Sequence, residues 1–419
     1  MVDNENNNSS IIQVQNEESE KNTKDKKIYL LIKGLTIIIY CSIIISTELT
    51  YREKLFNKSI EYQEDLREKH NKKSAFYNCW KFFSFFGKNT FCFGLFFAIF
   101  LFFPINSSFL ILQTLNYSNY ITNLFKMIYR NPRPYWKSDI LDLVCNSGYG
   151  NPSGHSLVCL SLFLVLSHVV TNFDFFKQNK KGKILRVSIF CVFIILASLV
   201  IISRVLLSAH SINQVIYGSL LGIGIYILEI YIISYHTYSS NEFMLHIISQ
   251  KIIIIYSVIN LVLISVLIVV YFSIGDDKDI EKLIFKNIFN GERCGTKKQF
   301  QVLRTDGFTQ ALAITSILGA HLGIILLIYL LRKSKFKIDY VNEFNQSSVK
   351  RWFIRLPILI LSGIFLLLNL LLPKNSPLSI IIIFKFALSF FFTTFGIYFV
   401  GIFICIYFNF ANEKIIKEM

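Results

Sequence analysis

The sequence has few charged residues for its length. Only 17% of its 419 residues are Asp, Glu, Lys or Arg, whereas about 25% is typical of a soluble globular chain. Hydrophobic residues make up 53% of the chain and include 41 Phe and 21 Tyr. This balance excludes a water-soluble protein and an intrinsically disordered one.

The sequence also has no C-x-x-C pair among its eight cysteines. A metal ribbon or a dithiol redox site is therefore not expected. Two of the cysteines, Cys145 and Cys294, lie in loops that the topology described below places on one side of a membrane. If that side faces an oxidising compartment, a disulfide between them can form. A disulfide between them and two free thiols both stay open.

Long apolar runs recur along the chain. A run of roughly 20 residues is long enough to cross about 30 Å of hydrocarbon as a helix. The runs therefore predict an all-α fold, a polytopic transmembrane helical bundle of about nine or ten spans. They cover residues 28–46, 82–103, 107–128, 155–171, 185–202, 210–233, 251–272, 309–331, 353–372 and 378–409.

The net charge of +16 comes mainly from Lys and Arg in the loops that flank these runs. Such residues anchor a membrane protein at anionic headgroups, so the bilayer, and not a nucleic acid, is the predicted partner. The most basic loops, 172–186 and 332–351, are predicted to be cytosolic by the positive-inside rule. The loops at 129–154, 203–209 and 273–308 then face the other side.

A first polar segment ends the apolar run at 107–128. It places Lys126 near the end of the helix and Arg133 seven residues later, directly before Pro134. Pro132 and Pro134 end the helix, because proline lacks an amide hydrogen and restricts the residue before it. We therefore expect an ammonium and a guanidinium close together at the membrane face.

A second polar segment, Pro-Ser-Gly-His, opens the run at 155–171. We expect Pro152 in the first turn of the helix, where its fixed φ suits the helix. Ser153, Gly154 and His155 then present backbone N–H groups at the positive end of the helix dipole, which favours an anion. His155 adds a group with an ordinary pKa of about 6.5.

A third polar segment contains Arg204, His210 and Gln214. His210 and Gln214 are four residues apart and share one face of a helix, so the Gln side chain can orient the imidazole. Arg204 offers a guanidinium to the oxygens of a tetrahedral oxyanion.

The three segments together suit phosphoryl transfer. That reaction needs cations and N–H groups around the phosphoryl oxygens, a nucleophile in line and an acid for the leaving group. We predict His210 as the nucleophile, which forms a phosphohistidine, and His155 as the general acid and then the base. No carboxylate cluster is present to hold a metal, so neither a metal nor another cofactor is expected. The three cations alone could be interfacial anchors, but two histidine motifs in register favour a site.

At these residues the chain resembles the type 2 phosphatidic acid phosphatase and vanadium haloperoxidase superfamily. The pattern K-x6-R-P, P-S-G-H, S-R-x5-H-x3-(D or Q) is matched over residues 126–214. The resemblance implies a helical-bundle core of that type. It also implies an acid at His155, a nucleophile at His210, and phosphate binding by Lys126, Arg133, Ser153, Gly154 and Arg204.

Within that superfamily the chain is more similar to the glucose-6-phosphatases. Tyr135-Trp136 follows Arg133-Pro134, Cys145 precedes a Gly-rich approach to Pro-Ser-Gly-His, Gln214 stands where most lipid phosphatases have Asp, and several spans follow the motifs. This resemblance implies a sugar phosphate as substrate, the endoplasmic reticulum with a lumenal site, and a sugar-phosphate transporter as a possible partner. An apparent extra N-terminal helix departs from the family.

The sequence thus predicts four parts. Residues 1–27 form a polar tail expected to be disordered, 28–81 an extra helix and an amphipathic segment, 82–235 a phosphatase core, and 236–419 the C-terminal transmembrane helices. Two alternatives stay open. One is a lipid phosphate phosphatase acting on phosphatidate, a sphingoid-base phosphate or a polyprenyl diphosphate; the other is an inactive transporter or regulatory scaffold.

Overall fold

The structure is a computed structural model. It describes residues 3–70, 74–103, 105–138, 140–141, 148–171, 180–233, 250–274, 303–333, 355–362, 387–401 and 403. Every regular element in these ranges is helical, which confirms the predicted all-α fold. The predicted disulfide partners Cys145 and Cys294, and most of the two basic loops, lie outside the described residues.

The helices follow one another with short connections around the three motifs. They are α1 (Asp3–Lys69), α2 (Ala75–Phe85), α3 (Asn89–Phe102), α4 (Ile105–Tyr129), α5 (Pro134–Lys137), α6 (Gly154–Thr171), α7 (Lys180–Leu206), α8 (Ile212–Ile227), α9 (Gln250–Ser273), α10 (Leu303–Ala311), α11 (Thr315–Lys333), α12 (355–362) and α13 (Ser389–Phe395). A π-helical segment follows α8 at Leu228–Ile233 and another follows α13 at Gly396–Gly401.

The chain divides into two compact units, Met1–Arg52 and Glu53–Met419. Helix α1 includes residues 3–27, for which the polar composition predicts a disordered tail. Extending an existing helix costs little per residue, so a polar segment can continue a helix that an apolar neighbour has nucleated. The four-part division of the chain stays a prediction.

Five described helices are long and apolar enough to cross a membrane, and there are up to six if the bent pair α2–α3 counts as one span. They support a multi-pass membrane protein. The five segments are Gly154–Thr171, Lys181–Leu206, Ile212–Ile230, Ile255–Ser273 and Gly307–Leu327. The predicted span at 353–372 lies mostly outside the described residues and only half of the span at 378–409 is described, so a total of nine or ten stays a prediction.

Helix α4 differs from the apolar span predicted at 107–128. It is too polar to count among the apolar helices of the described ranges, yet its polar side chains are buried. Neighbouring helices and its own backbone satisfy several of them: Ser118 Oγ lies 2.8 Å from Ser161 Oγ, and Asn123 Nδ2 donates to the carbonyl of Asn119 at 2.8 Å. Polar groups bonded in this way need no water inside a bundle of helices.

Helices α6 and α8 pack closely through two glycines of α8. A Cβ at Gly218 would lie 2.6 Å from the carbonyl oxygen of Ser153, and one at Gly222 would lie 2.7 Å from that of Leu157. The sequence pattern Gly218-x-x-x-Gly222 predicts such close packing, and the contacts confirm it. This packing holds the start of α6, with the second motif, against the start of α8, with the third.

Candidate active site

The three motifs meet at one cavity of about 570 Å³. It lies where α4 and α7 end and α6 begins. Six of the predicted site residues line it: Lys126, Arg133, Gly154, His155, Arg204 and His210. The structure thus brings together residues that are up to 84 positions apart in the sequence, from Lys126 to His210.

His210 lies in the turn between α7 and α8, and hydrogen bonds on both ring nitrogens fix its orientation. Nε2 is 3.1 Å from Nη1 of Arg133, and Nδ1 is 2.8 Å from the carbonyl oxygen of Gly150. A guanidinium can only donate and a carbonyl can only accept. Nδ1 therefore carries the hydrogen, and the lone pair of Nε2 accepts the hydrogen bond from Arg133. This lone pair can act on a substrate only when the guanidinium hydrogen turns away from it.

The charge state of His210 follows from its surroundings. Burial lowers its pKa well below 6.5, and the nearby Arg133, Arg204, Lys126 and His155 lower the pKa further. Burial likewise lowers the pKa of Arg133 from its ordinary value of 12.5. His210 is therefore neutral at physiological pH, and its Nε2 lone pair carries no proton.

Arg133 is fixed by backbone carbonyls on both sides of the cavity. Its Nε donates to the carbonyl of Gly148 at 2.7 Å and its Nη1 donates to that of Ala209 at 3.0 Å. The guanidinium thus connects the segment before α6 with the turn that carries His210. Its position is set before any substrate binds, as preorganised electrostatic catalysis requires.

Arg204 is buried at the end of α7 and has hydrogen-bond donors to spare. Its Nη1 donates to Oγ of Ser84 on α2. Its Nε and Nη2 are buried and have no hydrogen-bond partner among the described residues. Because unpaired buried donors are costly, these two groups are suited to bind the oxygens of an anion in the cavity.

The first turn of α6 lies close to Lys126. A Cβ at Gly154 would come within 3.1 Å of Cγ2 of Thr122 and 3.7 Å of Nζ of Lys126. Glycine therefore lets the positive end of the α6 dipole and the ammonium approach the same place. Contrary to expectation, Pro152 lies before the helix and not in its first turn, since α6 begins at Gly154.

Two predicted residues do not line the cavity. The N–H of Ser153 donates to the carbonyl of Gln214 at 2.9 Å, and its Oγ accepts from Ser156 Oγ at 2.9 Å. Its predicted contact with phosphate stays a prediction. Gln214 Oε1 is 3.3 Å from Nδ1 of His210, farther than the Gly150 carbonyl oxygen at 2.8 Å.

Gln214 also has a structural task that the sequence analysis did not assign. Its Oε1 is 3.3 Å from the backbone N–H of Ser211, in a capping box at the start of α8. Its Nε2 donates to the carbonyl of Pro132 at 2.8 Å. The Ser211-x-x-Gln214 spacing carries the signal for this cap.

Gly150 was not predicted from the sequence as a residue of the site. A Cβ at this position would lie 2.5 Å from Nε2 of Gln214 and 2.7 Å from the carbonyl oxygen of Pro132. Only glycine therefore lets its carbonyl reach His210. The Gly-rich approach to Pro-Ser-Gly-His was a signal for it, although a backbone contact cannot be read from side-chain chemistry.

Further polar residues line the cavity from elements outside the three motifs. They are Lys81, Ser84, Lys88, Asn89, Thr90, Asn119, Thr122, Asn123 and Gln310. The cavity thus has five cationic residues, and no Asp or Glu is among the described residues that line it. Lys81 and Lys88 come from α2 and from the bend before α3, and neither belongs to a recognisable sequence motif.

Two other observations bear on the site. Tyr135 and Trp136 are buried and are therefore not aromatic anchors at the membrane surface. Within the described ranges no group of three or more His, Cys, Asp or Glu side chains is placed to hold a metal ion. The prediction that the reaction needs no metal is left to experiment.

Comparison with known proteins agrees with the site. Residues 107–238 match the PAP2 superfamily. The matched segment contains all three motifs and covers less than half of the chain. No curated protein and no solved structure matches the chain. The match supports a membrane-bound phosphatase of this superfamily and leaves its substrate open.

Proposed function

We propose that this PAP2-superfamily phosphatase is a phosphomonoesterase that works through a phosphohistidine on His210, with glucose 6-phosphate as the favoured substrate. One observation carries the proposal. The Gly150 carbonyl holds Nδ1 of His210, so that the unprotonated Nε2 lies beside Arg133 in a cavity lined by cations.

The first step forms the phosphohistidine. Lys126, Arg133 and Arg204 bind the phosphoryl oxygens together with the N–H groups at the start of α6, and they offset the negative charge. Arg133 turns its Nη1 hydrogen from Nε2 of His210 to a phosphoryl oxygen, which frees the lone pair. Nε2 then attacks phosphorus, the P–N bond forms and the ester P–O bond breaks. His155 takes up a proton once the bound phosphate offsets the nearby cations, and it donates this proton to the leaving alcohol. The Gly150 carbonyl stabilises the Nδ1–H of the phosphorylated ring.

The second step releases phosphate. His155, now neutral, takes a proton from water as the water oxygen attacks phosphorus. The P–O bond forms, the P–N bond breaks, and His210 regains its lone pair at Nε2. Inorganic phosphate leaves, and His155 again holds the proton that the next ester requires.

The walls of the cavity favour a polar organic group on the substrate. Asn119, Asn123 and Gln310 line it in addition to the cations. Amides of this kind can donate to and accept from sugar hydroxyls. Met127, Val158 and Leu207 also line the cavity, so it is the amides that support a sugar phosphate. Following the resemblance to the glucose-6-phosphatases, we propose further that the site faces the lumen of the endoplasmic reticulum, with a sugar-phosphate transporter as a possible partner.

A lipid phosphate is the second candidate, because apolar side chains are exposed near the cavity. Phe82 and Phe85 of α2 are exposed, and they neighbour the cavity residues Lys81 and Ser84. A phosphate headgroup could enter while its tail stays in the bilayer. The third candidate, an inactive scaffold, would not need a neutral, oriented His210.

Phosphate release decides among these candidates. Purified protein in detergent is given glucose 6-phosphate, phosphatidate or a sphingoid-base phosphate in EDTA, next to His210→Ala. We expect release from glucose 6-phosphate and a loss of at least about a thousandfold in the variant. His168→Ala is a matched control, because His168 is a histidine of α6 that does not line the cavity.

Each outcome has a distinct meaning. Release from the lipids alone would contradict the sugar substrate and keep the roles of the site residues. Equal activity of the wild type and His210→Ala would refute the phosphohistidine. Release from no ester would favour the inactive scaffold.

A further inference from the structure

A part of α1 that precedes the matched segment contacts the turn that carries His210. Gln63 is buried and its Nε2 donates to two backbone carbonyls, that of Val205 at 3.0 Å and that of His210 at 2.9 Å. Gln63, Val205 and His210 all belong to the second unit, Glu53–Met419. A side chain some 140 positions earlier in the sequence thus binds the backbone of the proposed nucleophile.

The orientation of the Gln63 amide is fixed by its partners. Both neighbours are carbonyl oxygens, which can only accept, so the NH₂ group must face them. In this arrangement Oε1 of Gln63 is buried and has no hydrogen-bond partner within the described part of the chain. An unsatisfied buried acceptor costs free energy. A contribution to stability alone therefore does not explain the buried amide of Gln63.

The turn that Gln63 bridges contains a strained residue. Ser208 has φ +54°, in the left-handed region that is unfavourable for a residue with a side chain. Val205 comes before Ser208 and His210 comes after it. By binding both carbonyls, the amide of Gln63 holds the two ends of the strained turn at a fixed separation.

Two neighbours of Gln63 on α1 extend the contact. Ser59 Oγ accepts from the N–H of Ile212 at 2.9 Å, at the first turn of α8. Glu64 accepts a hydrogen bond from Oγ of Ser138, which follows α5. The helix therefore contacts the segments on both sides of the cavity.

We propose that Gln63 is a positioning residue for His210: by holding the carbonyls of Val205 and His210 it sets the direction of Nε2. The proposal rests on the proposed function, in which Nε2 attacks phosphorus. It makes residues 59–64 of the extra N-terminal helix part of the active-site support, outside the segment that matches the superfamily.

The test uses full-length protein with Gln63→Met and Gln63→Glu. Both substitutions preserve the approximate volume of the side chain and remove its two donor contacts. We expect kcat to fall about 10- to 100-fold, because small errors in the position of a reacting group cost that much. KM should change less than about threefold, because Lys126, Arg133 and Arg204 still bind the phosphate.

Amide hydrogen exchange, read by mass spectrometry, provides a readout that does not depend on turnover. Peptides that cover residues 205–212 should exchange faster in both variants. Gln113→Met is the matched control: Gln113 is another buried glutamine, about 20 Å from Lys126 along α4 at 1.5 Å per residue. It should leave kcat and the exchange of 205–212 unchanged.

Unchanged kcat in the Gln63 variants of an active enzyme would overturn the proposal, as would unchanged exchange of residues 205–212. A rise in KM with kcat unchanged would overturn it too, because it would assign Gln63 to binding. Failure of the proposed function looks different. It would appear as no release of phosphate by the wild-type protein, and exchange would then decide alone whether Gln63 holds the turn.

Discussion

At the scale of single residues, the cations that would hold the phosphate also keep the proposed nucleophile unprotonated. Arg133, Arg204 and Lys126 add to burial in lowering the pKa of His210. A protonated imidazole has no lone pair at Nε2 and cannot attack. His210 is therefore neutral throughout the neutral pH range, and only a fall in pH well below 6.5 should protonate it.

Replacing Gln214 with Asp tests how the surroundings of His210 set its pKa. A carboxylate near Nδ1 favours the imidazolium, so the pKa of His210 should rise. The acid limb of kcat/KM should move to higher pH than in the wild type, because kcat/KM reports the free enzyme. The measurement is the pH profile of both proteins with one substrate, since the ionisation of the substrate is then the same for both.

Gln214→Glu is a useful companion variant, because it has the length of glutamine and also places a carboxylate there. Superimposable pH profiles and equal turnover in all three proteins would contradict any influence of this position on His210.

The residue types of the site could be predicted from the sequence, whereas their contacts could not. Six predicted residues line the cavity, since ordered motifs with fixed spacing carry that information. The shorter bond to Nδ1 comes from the carbonyl of Gly150, and every residue has a carbonyl. Gln63 was not predicted either, because the contact joins segments about 140 residues apart.

At the scale of elements, two helices set the distance between the proposed acid and the proposed nucleophile. His155 lies in the first turn of α6, and His210 directly precedes α8. Gly218 and Gly222 let these helices approach until backbone meets backbone. The separation of the two histidines therefore depends on residues that touch neither substrate nor histidine.

Gly222→Ala tests that dependence. Its Cβ would lie 2.7 Å from the carbonyl oxygen of Leu157, so α6 and α8 must move apart. We expect a loss of about 1–3 kcal/mol in the free energy of unfolding, as for other overpacked sites. We also expect lower kcat, because the acid and the nucleophile separate. Thermal unfolding in detergent and steady-state kinetics measure the two effects.

Gly94→Ala is the control for this helix substitution. A Cβ at Gly94 would meet no atom within 4 Å, so the alanine should leave activity unchanged and raise helix stability by about 0.5–1 kcal/mol. A Gly222→Ala protein that unfolds and turns over like the wild type would show that the helices do not need this close approach.

The elements were easier to predict than their surroundings. Apolar runs at 155–171, 185–202, 210–233, 251–272 and 309–331 all correspond to apolar helices. The run at 107–128 corresponds to α4, but its Ser, Thr and Asn side chains face other helices instead of lipid. Composition indicates how polar a helix is, but the packing of its neighbours decides whether lipid reaches it.

At the scale of the whole molecule, the cavity concentrates positive charge without a counterion. Five cations line it, and no carboxylate is among the described lining residues. A divalent cation prefers carboxylate oxygens, so the cavity is suited to an anion alone. The protein as a whole is cationic as well, with a net charge of +16.

Metal removal tests this view of the charge. In excess EDTA, we expect phosphate release to change by less than about twofold, because lysine, arginine and the α6 dipole supply the positive charge that a metal would otherwise supply. Adding Mg²⁺ or Zn²⁺ back should have no effect. Activity that disappears in EDTA and returns with a divalent cation would contradict the mechanism proposed for His210 and His155.

The unpaired donors of Arg204 also bear on how a catalytic cycle ends. Nε and Nη2 can bind phosphoryl oxygens equally well in the ester and in the released product. Inorganic phosphate should therefore compete with the substrate for the cavity. The next turnover then begins when a substrate anion replaces the bound phosphate. The phosphate concentration on the side of the membrane that the cavity faces should therefore limit the turnover rate.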